Sequence, residues 1–177
     1  VLADAINDCK ALAEKLDSPV ASGYQHNDSF PGSHPLAVGP LGYNGSKAAM
    51  ELISKADVVL ALGTRLNPFS TLPGYGIDYW PKNAAIIQVD INSDRIGLTK
   101  KVSVGICGDA KQVAQQLLNN LSPEAGNTNR DERKALIHQT KSAWLQTLSS
   151  MDHEDDDPGT SWNEEARVRD ADRMSPR

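Results

Sequence analysis

Cysteine and aromatic side chains are scarce in this chain: two cysteines, and 5% Phe, Trp and Tyr among 177 residues. Cys9 and Cys107 lie far apart, outside any C-x-x-C spacing and away from clustered histidine, so no zinc site is expected from them. Both are expected to serve as small core hydrophobes rather than redox groups. Basic runs are also lacking. The net charge is -5 and no Lys or Arg cluster is interleaved with aromatics, which removes the usual footprint of a nucleic-acid surface, so no nucleic-acid partner is expected. No apolar run approaches the roughly 18 to 20 residues of a bilayer span, and no leader-like segment opens the chain. A cytoplasmic protein with no membrane partner is the expectation.

What is present is an ordinary core composition, 39% hydrophobic, sufficient for one domain of common size with a tail. Val1 falls within an amphipathic pattern, and Ser175 to Arg177 follow no terminating element. We therefore expect a segment of a longer protein.

Ile6, Cys9, Leu12, Ala13 and Leu16 recur at helical spacing, stopped by Asp17, Ser18 and Pro19, with a short strand at Val20 to Ser22. Gly23 to Tyr43 is rich in Gly, Pro, Asn and His, the composition of a long ordered or functional loop. Ser46 is placed to cap a helix from Lys47 to Lys55. "ADVVLALGTRL" then gives a continuous apolar run, expected as a strand buried on both faces. After a second loop from Pro68 to Pro81, "AAIIQVDIN" is the next buried strand, emerging at Asp90, and "VSVGICGD" another. Asp109 with Gln112 opens a helix carrying Val113, Leu117, Leu118 and Leu121. Helices alternating with buried strands spell an α/β fold, a doubly wound, mostly parallel, Rossmann-like sheet. Beyond Leu121 the composition shifts: a linker, a helix from Arg130 to Ser149, then a charge-dense tail unable to build a core. The expected division is 1–121 for the sheet domain and 122–177 for helix and charged linker.

In such a sheet, ligands gather outside the carboxyl ends of the strands, where helix amino termini offer free N–H groups to anions. Gly39, Gly42 and Gly45, with Ser46 at a helix start, suit that place; Gly63 and Asp90 end two strands there. The G-x-x-G-x-x-G spacing is neither a dinucleotide fingerprint nor a P-loop, so a structural turn and a phosphate cradle both stand as readings. Gly108, Asp109 and Ala110 with Asn119 and Asn120 imitate the GDG to NN motif that holds magnesium diphosphate, but the third residue is Ala and the Asn pair comes too soon; Asp109 is expected as a cap. No metal site is expected in this segment. The Asp152 to Asp157 carboxylates with His153 read as solvated linker, and His138 as inert on a polar helix face.

The order "HPLAVGPLGYNGS", "ADVVLALGTRL", "IIQVDIN", "RIG", "VSVGICGDA" resembles the central domain of thiamine-diphosphate enzymes of the acetohydroxyacid synthase and pyruvate oxidase group. Within the group, "GYQHNDSFPGSHPL", "GTRLNPFSTLPGYGIDYWPK" and the charged tail resemble the branch that acts on sulfoacetaldehyde. The resemblance implies an enzyme that releases sulfite from sulfoacetaldehyde and passes the acetyl group to phosphate. It implies thiamine diphosphate and Mg2+ bound mainly by domains outside this segment, a homo-oligomer (dimer or tetramer), and a first strand with its glycine turn lying before Val1. The segment itself should be catalytically silent. Related synthases contact FAD through the equivalent glycine turn. This chain has Tyr43 and Asn44 where they have Met-His, and Phe69 where they place a second Arg; FAD is therefore not expected, and a pocket respecified for sulfonate or phosphate is.

A sulfonated aldehyde and phosphate both need cationic or N–H donors around three oxygens. Arg65, at a strand's carboxyl end, is the leading candidate, with Asn67 and Phe69 beside it; pairing with Asp90 is its structural alternative. His26, near Asp28, could relay a proton or merely cap a turn. Tyr75, Tyr79 and Trp80 are expected at a subunit or domain face. Two other readings are an autonomous FAD or adenine-nucleotide module and an interface scaffold.

Overall fold

A computed structural model describes residues 3–154, the side chains of 152–154 excepted. The chain falls into two compact units, 1–142 and 143–177. The first unit opens with α1 (Ile6–Leu16), which buries Leu12 and Ala13. The helix stops where Asp17 turns left-handed (φ 48°) and its N–H and that of Ser18 return to Glu14 and Ala13 carbonyls, with Pro19 forbidding another turn. β1 (Val20–Gly23) then pairs in parallel with β2 (Ala37–Leu41), with one register irregularity after Val20. Ser46 caps α2 (Lys47–Ile53) by accepting the Ala49 N–H at 3.3 Å, and this short helix buries Ala48, Ala49, Met50 and Leu52.

β3 (Val58–Leu62), β4 (Ala85–Asp90) and β5 (Val104–Cys107) form a second parallel sheet in that order. α3 (Ala110–Asn120) follows; its cap, Asp109, accepts the Lys111 and Gln112 amides at 3.0 and 3.1 Å, and α3 packs on α1. α4 (Arg130–Glu154) runs from the first unit into the second. Every strand pairing among the described residues is parallel apart from an isolated bridge between Gly74 and Ile77, so the chain has the expected α/β architecture.

The core is in two parts. Around β1 and β2, Phe30, Leu36, Val38, Ala49 and Leu52 meet Ala13 of α1 and Ile137 of α4; each large side chain contributes about 1.5–3 kcal/mol by burial. Around β3 and β4, Leu66 and Ile86 pack with Ala61, Val59, Trp80 and Val102. Between the two sheets, β1 and β3 do not pair. A cleft of about 910 Å³ lies between them, lined by Val20 to Gly23 on one side and Val58 to Leu62 on the other, with Ile6, Cys9 and Leu12 of α1.

Three sequence expectations are corrected here. The run "ADVVLALGTRL" is not buried on both faces: Val58 is 52% exposed and Ala61 is the one residue of β3 that is fully covered. The reason is topological, since β3 ends its sheet and borders the cleft. Cys107 is exposed rather than a core hydrophobe, its Sγ lying 3.7 Å from the Ile91 carbonyl on the edge strand β5. Tyr79, expected at an interface, is buried and donates from its hydroxyl to the Ser70 carbonyl at 3.4 Å. The acidic cluster from Asp152 to Asp157 lies outside the described side chains.

Candidate functional site

The cleft is largely apolar along the strands and polar at both ends, with Ser18, Lys55 and Asp57 before the strands and a second polar group where their carboxyl ends stop. At that mouth stand His26 after β1, Gly63, Arg65 and Asn67 after β3, and Asp90 at the end of β4. Topology therefore brings together five candidate residues separated by up to 64 positions. Asp28, Tyr43, Asn44 and Phe69 do not line the cleft. Tyr43 and Phe69 are instead exposed beside one another's loops, where Gly42 abuts the Phe69 carbonyl.

The glycine turn closes on the chain itself. A Cβ at Gly39 would stand 2.7 Å from that of Ser46, one at Gly42 2.6 Å from the Phe69 carbonyl oxygen, and one at Gly45 2.5 Å from the Pro40 carbonyl oxygen. Gly39 and Gly42 also take φ of 90° and 112°, which side chains rarely adopt. Ser46 donates its N–H to Pro40 at 2.7 Å while its hydroxyl occupies the Ala49 amide. Gly42 and Gly45 are thus accounted for by close approach of backbone and Gly39 by the Ser46 side chain, which the helix start presents inward.

Arg65 is exposed and forms no ion pair with Asp90 among the described residues. Asp90 is buried and accepts the Asn92 N–H at 2.9 Å. The Arg65 loop is held firmly. Thr64 Oγ1 accepts the Leu66 N–H at 3.2 Å, Asn67 Oδ1 accepts the Ser70 N–H at 2.9 Å, and Leu66, left-handed at φ 50°, is buried beneath it. Sequence reasoning missed Gln88. It sits 1% exposed in mid-β4 and donates its amide to the carbonyls of Thr64 at 3.0 Å and Arg95 at 3.2 Å, while its oxygen accepts the Gly97 N–H at 2.8 Å. The signal was present as a polar residue flanked by Ile86, Ile87 and Val89 inside the apolar run that ends at Asp90.

His26 and Asp28 are exposed, His26 just before and Asp28 within a short 3₁₀ turn, Asn27–Ser29; the His26 carbonyl accepts the Ser29 N–H, and its side chain makes no cap hydrogen bond to the turn. Burial pushes the Tyr79 phenol up, partly countered by the Gly42 amide. Burial likewise raises the Cys9 thiol, with Asp8 adding to it. Neither is a nucleophile poised at the mouth. Among the described residues no group of three His, Cys, Asp or Glu could hold a metal ion, and the Asp109 carboxylate is engaged by the α3 amides. The mouth sets the exposed Arg65 cation, not ion-paired with Asp90 among the described residues, beside N–H and amide donors of the loop after β3.

Residues 1–117 match the thiamine pyrophosphate enzyme, central domain family. The chain belongs to that family. Over all 177 residues it is 81% identical to a probable sulfoacetaldehyde acetyltransferase of Rhizobium meliloti and 72% identical to a sulfoacetaldehyde acetyltransferase of Roseovarius nubinhibens. A probable acetolactate synthase large subunit of Methanocaldococcus jannaschii is 36% identical over 151 residues, 85% of this chain and 23% of that protein. The chain spans about 30% of the length of the first two relatives. Within this central domain, the cleft mouth marks the carboxyl edge at which open parallel sheets receive ligands.

Proposed function

We propose that this chain is the central segment of a thiamine-diphosphate-dependent acetyltransferase that converts sulfoacetaldehyde and phosphate into acetyl phosphate and sulfite. The observation that carries the reading is the likeness over all 177 residues of this chain, at 81% and 72%, to relatives with the sulfoacetaldehyde acetyltransferase name. The geometry suits it in a limited role. Sulfonate offers three oxygens and inorganic phosphate four, both calling for cationic donors, and Arg65 stands unpaired with Asp90 at the mouth of the cleft. The residues here do not fit a magnesium diphosphate site, because Asp109 is a helix cap and no metal-holding group forms among the described residues. We assign thiamine diphosphate and Mg2+ to the rest of the longer protein, and to this segment the binding and orientation of substrate. FAD is not assigned, since the glycine turn closes upon Phe69, Pro40 and Ser46.

We assign residues 1–121 to the central domain and 122–177 to the segment leading onward, in a cytoplasmic homo-oligomer. The cleft supports the reading that one parallel strand is contributed from outside the chain, between β1 and β3. A strand leading into α1 would enter there by the right-handed crossover rule.

The test is the full-length enzyme supplied with sulfoacetaldehyde, phosphate, thiamine diphosphate and Mg2+, with sulfite and acetyl phosphate measured together. Stoichiometric formation of both is expected. Arg65→Ala should raise KM for one anionic substrate about tenfold, the loss of roughly one charged hydrogen bond. Turnover of pyruvate without turnover of sulfoacetaldehyde would overturn the proposal, as would saturable FAD binding that the reaction requires.

A further inference from the structure

The Arg65 loop is held from below by two side chains that no motif in the sequence singled out. Gln88 places an uncharged but fully polar amide in the middle of a buried strand, where a valine would be cheaper to bury. All of its bonds go to the two loops at the carboxyl edge. Its nitrogen serves the Thr64 carbonyl at 3.0 Å and the Arg95 carbonyl at 3.2 Å, and its oxygen serves the Gly97 amide at 2.8 Å. From the second of those loops Thr99 reaches back. Its hydroxyl proton is shared between the Leu66 carbonyl at 2.7 Å and the Arg65 carbonyl at 3.2 Å. The carbonyls of residues 64, 65 and 66 are therefore each fixed by a side chain from β4 or the loop after it.

Such fixing counters an adverse local conformation. Leu66 sits at φ 50°, which costs a residue with a Cβ roughly 1–2 kcal/mol, and persists where surroundings over-determine it. If released, Leu66 would relax toward the ordinary regions and swing the residue before it. That residue is Arg65.

We infer that Gln88 and Thr99 are positioning residues for Arg65, aiming its guanidinium at the anionic group of a substrate in the cleft mouth. This rests on the reading of Arg65 as an anion contact, and it names the residues that make that contact selective. Neither Gln88 nor Thr99 touches substrate; each acts through the backbone of residues 64–66. An arginine on a held loop meets three oxygens with little ordering cost on binding, whereas the same arginine on a loose loop must be ordered by the ligand.

The experiment uses the full-length enzyme with phosphate and sulfoacetaldehyde varied in turn. Gln88→Glu keeps the acceptor for the Gly97 amide and removes both donors. Thr99→Val removes the hydroxyl at constant size, and Thr99→Ser restores it. For the substrate whose KM responds to Arg65→Ala, Gln88→Glu should raise KM about tenfold and Thr99→Val about fivefold, with kcat within about twofold, and Thr99→Ser should lie within about twofold of wild type. On the Arg65→Ala background neither change should raise KM further, because the group they aim is gone. Folded Gln88 and Thr99 variants with unchanged KM, or KM effects that persist in full without Arg65, would overturn the inference and leave the Arg65 reading intact. If Arg65→Ala leaves both KM values unchanged, both fall. Should Gln88→Glu fail to fold, the Thr99 pair and its Arg65→Ala combination decide the question alone.

Discussion

Arg133→Ala should remove the clamp that ties α4 to the end of α1. The guanidinium donates to the Asp17 carbonyl at 2.9 Å, the Leu16 carbonyl at 3.1 Å and the Thr128 carbonyl at 2.8 Å, and also to the Gly126 carbonyl. Two of these acceptors are orphan carbonyls at the end of α1, which helix geometry leaves without partners. The other two belong to the loop after α3. That loop presses on the same place, since a Cβ at Gly126 would stand 2.7 Å from the Leu16 Cα. Hydrogen bonds from a charged donor contribute roughly 1.5–3 kcal/mol when buried. Arg133 is half-buried, so water replaces part of each, and about 0.5–1 kcal/mol per bond is the appropriate scale. A cation at a helix carboxyl end adds about 0.5 kcal/mol.

The expected loss is about 3 kcal/mol. With a urea slope of about 2 kcal/mol per molar for a unit of this size, the unfolding midpoint should fall by about 1.5 M. Far-UV circular dichroism of the 177-residue chain during urea titration reads it directly. Arg133→Lys, one cation without the planar fork, should recover about half. Lys10→Ala serves as the control, because its pair with Glu14 is exposed on both sides and 3.9 Å long, and such pairs contribute about 0–1 kcal/mol. A shift under about 0.3 M for Arg133→Ala, or a lysine variant as unstable as the alanine one, would refute the clamp.

Other consequences are as direct. Gly42→Ala forces a Cβ into the left-handed region at φ 112° and within 2.6 Å of the Phe69 carbonyl oxygen; a Tm lower by about 10 °C is expected in calorimetry, and an unchanged Tm would show the turn to be open. Stability should fall as pH rises above 9.0: Cys9 is raised from 9.0 and Tyr79 from 10.0, so the folded chain holds those protons longer than the unfolded chain, and the stability present below these values is lost through the raised ones. Lys141, lowered from 10.5 by burial, acts with the opposite sign, its penalty easing as pH climbs toward 10.5. Cys9→Ala should therefore flatten the fall of Tm just above pH 9, and an unaltered profile would count against the thiol. Hydrogen exchange should find cleft-facing amides of Val20–Gly23 and Val58–Leu62 fast in this chain and slow in the full-length enzyme; equal rates would sink the idea that a strand fills the cleft.

Most of the alternation of helices and strands was legible because those elements carry their own signals; β2 was not, since Ala37–Leu41 lies within the Gly- and Pro-rich stretch 23–43 read as a loop. Asp109 and Ser46 cap the helices they precede, and the apolar run of β4 ends at Asp90, where the strand itself ends. What could not be read was which strands neighbour each other. Burial of β3 was inferred from its composition, and composition reports the environment a strand suits, not whether its neighbour is present; Val58 lies open because β3 borders the cleft. Cys107 follows the same logic on β5, an edge strand with exposed Val104. For the site, Arg65 and Asp90 were read as strand-end residues and His26 as part of a polar loop, and these line one cleft together with Gly63 and Asn67. Gln88 was hidden because its partners are backbone groups 7 to 24 positions away, which no local pattern encodes.

The cleft and the mouth are one feature rather than two. β1 stops at Gly23 with His26 just beyond it, and β3 stops at Leu62 with Arg65 just beyond it, so His26 and Arg65 line the cleft beyond the carboxyl ends of two strands. A parallel strand between them would leave its own carboxyl turn between His26 and Arg65. The Lys111 and Gln112 amides at the start of α3 are taken by Asp109, and the α2 amide of Ala49 by Ser46. On the proposed reading a strand entering the cleft would complete both the sheet and the anion site, so a single proline in it should weaken substrate binding and edge protection together.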